Sequence, residues 1–257
     1  MRSGGRWASR YELSPAQWRR IESLLPGKAG DPGRSGQDNR LFVNGVLWVL
    51  RSGAHWHDIP ERYGKWKTLH QRFRRWSKAG VWERVFADLI DDPDNDYVML
   101  DSTLVRAHQQ AATGKGGTRT KALGRSRGGL TTKIHMAVDG RGRPLRLILT
   151  PGQRGDVTQA PALLEGLKAR RVLADKAYDS NALRTIVADM GAEAVIPCNP
   201  TRKALIPYDF EAYKARNLIE RCFNKLKHFR RIATRYDRRA IHFLSFVQIA
   251  CAMIWMR

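Results

Sequence analysis

The chain has 257 residues, 42% of them hydrophobic, and its 46 Lys and Arg against 24 Asp and Glu give a formal charge of +22. That length holds one large domain or two modest ones, and the apolar content supports a real core. A charge so one-sided would repel itself without a polyanionic partner, so nucleic acid leads and an anionic membrane surface comes second. Three cysteines without paired spacing (Cys198, Cys222, Cys251) argue against disulfides and a zinc site and for a reducing compartment. His55 and His57 flank Trp56 without a second ligand pair nearby, which disfavours a metal there.

The first residues lack an apolar signal region, which predicts a cytoplasmic protein. Ser14-Pro15 opens a helix carrying Trp18, Ile21, Leu24 and Leu25, and Pro26-Gly27 ends it. A basic Gly/Pro linker, GKAGDPGRSG, follows. A second helix spans about Asp38 to Arg51 and stops at Ser52-Gly53. A third spans about Thr68 to Lys78. It turns Leu69, Phe73 and Trp76 inward and Gln71, Arg72, Arg74 and Arg75 outward. A fourth covers Val81 to Ile90. Short helices with a basic third one predict a helix-turn-helix-like module that binds DNA through Arg72, Arg74 and Arg75.

The acidic stretch DDPDND, residues 91–96, reads as a boundary, so residues 1–95 form a helical DNA-binding domain and residues 96–257 a second domain. On that division residues 1–90 alone should prefer a specific duplex sequence to random duplex. The pattern then turns to strands. Residues 97–100 run into Asp101. Residues 113–129 are rich in Gly, Lys and Arg and read as a mobile, phosphate-contacting arm with Lys115, Arg125 and Arg127. Two strands, Thr131 to Val138 and Pro144 to Leu149, flank hairpin residues Asp139-Gly140. A helix over Val157 to Leu167, a strand over Arg171 to Ala174 ending at Asp175, a Ser180-capped helix and a strand over Glu193 to Pro197 complete a mixed sheet flanked by helices. Glu211 to Arg231 reads as one long helix. Ile219, Cys222, Phe223, Leu226 and Phe229 form its apolar stripe. Tyr213, Arg216, Glu220, Asn224 and Lys227 form a polar stripe beside it. The run IHFLSFVQIACAMIWM is too short and too interrupted to span a bilayer and reads as a buried closing helix.

Asp101 and Asp175 end strands, where ligands of open α/β sheets gather, and Glu220 lies on a helix packed on that sheet. Three bare carboxylates repel one another, and two divalent cations relieve this and can clamp an in-line phosphoryl displacement. Asp139 in a hairpin, Asp156 at a helix start and Asp179 past Asp175 compete for the same role but read as turn and cap residues.

In this order the residues resemble the DDE transposases of bacterial insertion sequences, in particular the large "insertion sequence five" family. VMLDST with Asp101, LADKAYDS with Asp175, and Tyr213, Arg216, Glu220 and Lys227 at Tyr-x2-Arg-x3-Glu-x6-Lys spacing carry the resemblance. LSPAQWRRIESLLP, NGVLWVLRSGAHWHDIP, WERVFADL, GRSRGGLTTKIHMAVD and TPGQRGDVTQA extend it over nearly the whole chain. The resemblance implies an RNase H-like fold and a catalytic, metal-holding set of Asp101, Asp175 and Glu220. Two Mg2+ ions are implied, for which Mn2+ can substitute, with Tyr213, Arg216 and Lys227 on DNA. It implies binding of the element's ends, cutting there, and transfer of 3′-hydroxyl ends into target duplex. The setting implied is the bacterial nucleoid, with at least two protomers on DNA and no membrane. A non-cutting DNA-binding repressor and a stand-alone RNase H-like nuclease are the competing readings.

Overall fold

The computed structural model describes residues 11–28, 30–31, 38–113 and 122–257. Most of the Gly/Pro linker and Lys115 lie outside these. The main elements are α1 (Pro15–Ile21), α2 (Asn39–Ser52), α3 (Trp66–Lys78), α4 (Val81–Asp88), β1 (Tyr97–Ala107), β2 (Gly124–Ser126), β3 (Gly129–Asp139) and β4 (Pro144–Pro151). Then come α5 (Ala160–Leu164), β5 (Arg171–Leu173), α6 (Asn181–Asp189), β6 (Glu193–Val195), α7 (Asn217–Lys227) and α8 (Ala240–Trp255). Contacts group Met1–Leu89 with Leu226–Arg257 as one compact unit and Ile90–Lys225 as a second.

In the first unit the helix starts follow the sequence signals. The Ser14 hydroxyl accepts from Gln17 N–H while Gln17 reaches back to Ser14 N–H, a reciprocal cap that satisfies two otherwise unpaired donors. The Asp38 carboxylate accepts from Leu41 N–H, and Gly53, at φ 72°, closes α2 in the left-handed conformation that suits glycine. The core is aromatic. Phe42 meets Trp76 edge-on at 4.9 Å, Trp56 lies 5.2 Å from Phe73, and Phe73 stacks on Phe246 at 4.5 Å. Phe246 belongs to α8, whose residues from Phe243 to Trp255 are buried nearly all round. A helix apolar on every face sits inside a fold rather than on it, and α8 packs on α3 and α4.

This alters the expected division of the chain. Residues 226–257 group with the N-terminal helices, not with the strands, because α8 completes their core. Arg72 also departs from the expected outward face. Its guanidinium lies over the Phe42 ring at 4.4 Å and the Trp76 ring at 4.7 Å, donates to the Asn39 side chain, and is only partly exposed. It is a packing residue whose stem and head cover the aromatic core. Arg74 and Arg75 are exposed as expected.

The second unit is built on a sheet in the order β4-β3-β1-β5-β6, with β2 pairing the start of β3. β4, β3 and β1 form an antiparallel meander, and β5 and β6 run parallel to β1. With helices alongside, this is an RNase H-like mixed sheet. β1 is longer than expected. Its parallel pairing to β5 ends at Met99 opposite Leu173, but its pairing to β3 continues to Arg106 opposite Thr131. Asp101 is therefore mid-strand, opposite Met136. Residues 114–121 of the expected arm lie outside the described residues, and from Ala122 on the chain is not the loop expected of residues 113–129. Ala122 and Leu123 are buried, and β2 forms a hairpin with β3 through Arg127-Gly128. Arg125 and Arg127 are exposed on it.

The expected helix over residues 211–231 is segmented. A helical turn over Phe210–Tyr213 tightens into a 3-10 turn over Lys214–Arg216 before α7 begins. Tyr213, Lys214 and Asn217 keep right-handed helical backbone angles, so the chain is overwound there and not redirected. α7 stops before Phe229, which is extended at ψ 104° and opens a last short turn over Arg230–Ala233. Ile219, Cys222 and Phe223 are buried as the apolar stripe requires, with Cys222 Sγ 3.8 Å from Met136 Sδ on β3. That contact fixes α7 against the strand pair that carries Asp101.

Candidate active site

Asp101 lies two residues past Met99, the last residue of β1 paired to β5, and Asp175 lies two past its partner Leu173. The two carboxylates thus leave adjacent strands at the same level, at the carboxyl end of the parallel pair. Asp175 begins a 3-10 turn, where its Oδ1 accepts from Ala177 N–H at 2.9 Å. One oxygen serves as a cap, so capping alone leaves the other oxygen free of that duty.

Arg216 joins the third acid to the first. Its Nη2 donates to Asp101 Oδ2 at 2.9 Å and its Nη1 to Glu220 Oε1 at 2.8 Å. Arg216 and Asp101 are each 16% exposed and Glu220 54%. The Arg216 Nε–H is buried without a partner, so the fork is committed to the two acids at its tips. Burial pushes the Asp101 carboxyl up to about 6; Arg216 and the Ser102 N–H pull it down, while the charges of Asp175 and Glu220 push it further up. The charges of Asp175 and Glu220 therefore both reach Asp101.

Tyr213 belongs to the same neighbourhood. Burial raises its pKa, with Arg216 opposing and Asp175 and Asp101 adding to the rise, and its ring meets Tyr208 edge-on at 5.6 Å. Tyr178 does too, although no periodic signal marks it beyond its place three residues after Asp175. It is 1% exposed, and its hydroxyl is buried without a partner. Burial and the charges of Asp156, Asp101 and Asp175 push its pKa well above the ordinary tyrosine range, so it stays a neutral donor beside the acids. Lys227, the last residue of α7, is exposed.

The competing aspartates divide by structure. Asp139 accepts from Arg141 N–H, Arg143 N–H and Arg143 Nε, which makes it the buried knot of the β3–β4 hairpin. Asp156 is not the cap its position suggested, since its side chain caps no N–H. It accepts instead from Ser102 Oγ and Lys133 Nζ, both at 2.8 Å, with His135 Nδ1 at 3.5 Å. Asp179 is 1% exposed and accepts from Arg184 Nε at 2.9 Å, Arg202 Nε at 2.9 Å and Asn199 N–H at 2.8 Å. Burial pushes this carboxyl up, but those hydrogen bonds outweigh it and hold it at about 2.

Asp179→Ala should cost about 3–5 kcal/mol, because two half-buried guanidinium groups lose their partner. The folded pKa lies below the ordinary 3.8. The stabilisation is therefore complete above that ordinary value and is lost as pH falls from it toward about 2. Urea midpoints of wild type and variant should differ widely at neutral pH and converge across that window. A constant gap down to the acid end would remove the ion-pair account.

Among the described residues, no three His, Cys, Asp or Glu side chains stand close enough together to hold a metal ion. The Arg216 guanidinium takes the position between Asp101 and Glu220. The donor set itself fits a hard divalent cation. It is all carboxylate, it is partly desolvated, and its mutual repulsion on Asp101 is what a cation relieves.

Residues 93–255 match the family described as "Transposase DDE domain", and residues 13–86 match "Putative transposase of IS4/5 family". A putative transposase for insertion sequence element IS6501 from Brucella ovis is 49% identical over half of this chain and all of its own length. A putative transposase for insertion sequence element IS402 from Burkholderia cepacia is 33% identical over 48% of this chain and 62% of its own. Among solved structures, a piggyBac transposase synaptic complex with hairpin DNA aligns at a TM-score of 0.42 and 13% identity, over 75% of this chain and 48% of that one. The Mos1 mariner paired-end complex with Mn aligns at 0.29 and 12%, over 84% of this chain and 85% of that one. With its matched domain covering β1 through α8 and the two aspartates just past the end of the β1–β5 pairing, the chain belongs to the DDE-domain transposases of bacterial insertion elements.

Proposed function

We propose that this transposase binds the ends of its own insertion element, cleaves them with a divalent metal, and transfers the freed 3′-hydroxyls into target DNA. Asp101, Asp175 and Glu220 would hold the metal, Mg2+ in the cell with Mn2+ as a substitute. Bound divalent cations supply charge neutralisation at the phosphate in flight. The observation that carries the reading is the Arg216 fork spanning Asp101 and Glu220, beside Asp175, in a site where the Asp101 carboxyl is pushed up to about 6. Such a cluster is poorly suited to packing and well suited to receiving cations and a phosphate.

The chain's own groups then have separate tasks. The acids define where the scissile phosphate sits. Arg216 exchanges carboxylate oxygens for phosphate oxygens, which its planar fork matches equally well. Tyr213 stacks on a displaced base or donates to a phosphate. Arg125 and Arg127, exposed on the β2–β3 hairpin, and Arg74 and Arg75 on α3 contact the duplex, α3 within a helix-turn-helix-like module. In cleavage a water oxygen bonds to phosphorus as the bond to the 3′ oxygen breaks. In transfer that 3′-hydroxyl attacks a target phosphate and displaces the target's own 3′ oxygen. Joining two ends requires at least two protomers. The setting is the nucleoid of a bacterial cytoplasm.

Labelled end DNA incubated with Mg2+ separates this reading from its rivals. Joined product is expected, nicks without joining would mean a nuclease, and an unchanged substrate a binder. Lys227 is a phosphate contact in this reading. Lys227→Ala should weaken end binding and reduce the slope of log K against log salt by about one unit. A lysine that is only solvated, two turns beyond Glu220 and out of reach of an i,i+4 pair, would leave the slope alone. Parallel salt lines for wild type and variant would take Lys227 out of the interface. Arg216→Lys should lose activity too, since an ammonium cannot reproduce the fork.

A further inference from the structure

A concentration of positive charge away from the acids lies in the helical unit, where two segments distant in sequence meet. Arg74, Arg75 and Lys78 on α3, with Gln71, form one wall of an open groove of about 460 Å³, and Arg239, Ile241 and His242 at the start of α8 form the other. No acidic side chain lines it. Arg74, Arg75, Lys78 and Arg239 are exposed. Their convergence is felt at His242, where burial lowers the pKa to about 4, Asp237 opposes, and Arg74, Arg239 and His70 lower it further. α8 begins at Ala240 with Arg239 as a flanking residue whose side chain makes no cap. The positive end of a 16-residue helix therefore opens where Arg239 and His242 line the groove. Gathering four cations in one place has no value for stability. They repel one another, and the aromatic core beneath does not need them.

We infer that this groove is a docking site for the sugar–phosphate backbone of duplex DNA, so that the DNA-binding surface of the helical unit is shared by α3 and the C-terminal segment, with Arg239 as a direct phosphate contact. The inference rests on the transposase reading and extends it to residues that no sequence motif marks. Flexible cations, a helix start and a lining without acids suit phosphates, which every duplex offers, more than base edges. The groove therefore supplies affinity and register, not sequence choice.

The test measures the affinity of the full chain for end duplex and for random duplex across a salt series, for wild type, Arg74→Ala, Arg239→Ala, the double variant and Arg170→Ala. Arg170 is an exposed cation of the other unit, paired to Asp96, and serves as the control. Arg74→Ala and Arg239→Ala should each lower the salt slope by about one unit, and the double variant by about two. Each should weaken both duplexes in the same proportion, with unchanged thermal unfolding and with Arg170→Ala on the wild-type line. An Arg239→Ala line that coincides with wild type overturns the inference, as does an equal loss in Arg170→Ala. Either result leaves the transposase reading standing, whereas a wild-type chain that binds no duplex sinks that reading itself. Anionic phospholipid vesicles are the comparison ligand. Arginine-dependent binding to vesicles with no arginine dependence on DNA would assign the groove to a membrane surface and overturn the inference.

Discussion

Asp101→Asn, Asp175→Asn and Glu220→Gln are each expected to abolish end cleavage while leaving end binding within a few-fold of wild type. An amide keeps the size and shape of the acid but removes the charge and half of the oxygen donors that a hard divalent cation requires. Losing even an outer partner of a metal site commonly costs about 10–100-fold, and losing a ligand costs more. Binding should survive because the amides leave every cation in place, including those away from the acids on α3, on the β2–β3 hairpin and at the start of α8. The three sites also differ in what else changes. Asp101→Asn and Glu220→Gln each take a charged partner from Arg216, whereas Asp175→Asn leaves that fork intact. If the loss of cleavage came only from a disordered Arg216, Asp175→Asn would cleave normally. Cleavage of labelled ends, scored beside a binding isotherm on the same DNA, separates the cases. Wild-type cleavage by any one amide variant would remove that residue from the set.

The sequence carried the acids because each sits in a short block with its own local signal, and it missed what depends on who the neighbour is. Asp101 looked like a strand end because the apolar run stops at Leu100. The strand in fact has two different neighbours. Its parallel pairing to β5 does stop at Met99, while its antiparallel pairing to β3 continues to Arg106. The level of the site was legible and the length of the strand was not. Asp156 looked like a cap because it precedes a helical segment, but Ser102 and Lys133 claim it from other strands. Tyr178 showed no period at all; only the burial of its hydroxyl beside the acids brings it into view. Arg72 shared a helix face with Gln71 and Arg75 on a wheel diagram, yet the Phe42 and Trp76 rings beneath it draw it inward. Periodicity gives the direction of a side chain to within a turn of arc, and packing decides the remainder.

The same distinction produces the other large effect. The run IHFLSFVQIACAMIWM, residues 241–256, was legible as a buried closing helix, because its few polar residues make no continuous face, but such a pattern does not say what it is buried against, nor that residues 226–240 go with it. Phe243, Phe246, Val247, Ala250 and Cys251 are each 0% exposed, and Phe246 stacks on Phe73 of α3. Arg231 adds a buried tie, donating to Ala54 O at 2.9 Å and pairing with Asp237 at 3.2 Å. Truncating one buried Phe to Ala costs about 3–5 kcal/mol, and a whole domain is stable by only about 5–15 kcal/mol. Removing the helix deletes several such side chains at once and exposes the aromatic cluster of α2, α3 and α4. Residues 1–90 alone, which the sequence suggested would bind end DNA unaided, should therefore lack a cooperative thermal transition and show poorly dispersed amide resonances. Joining residues 226–257 to them through a flexible Gly/Ser linker should restore a single sharp transition, because the core is then complete again. A cooperative melt of residues 1–90 without the C-terminal segment would mean that α8 covers a core already closed, and the chain would divide near residue 95 after all.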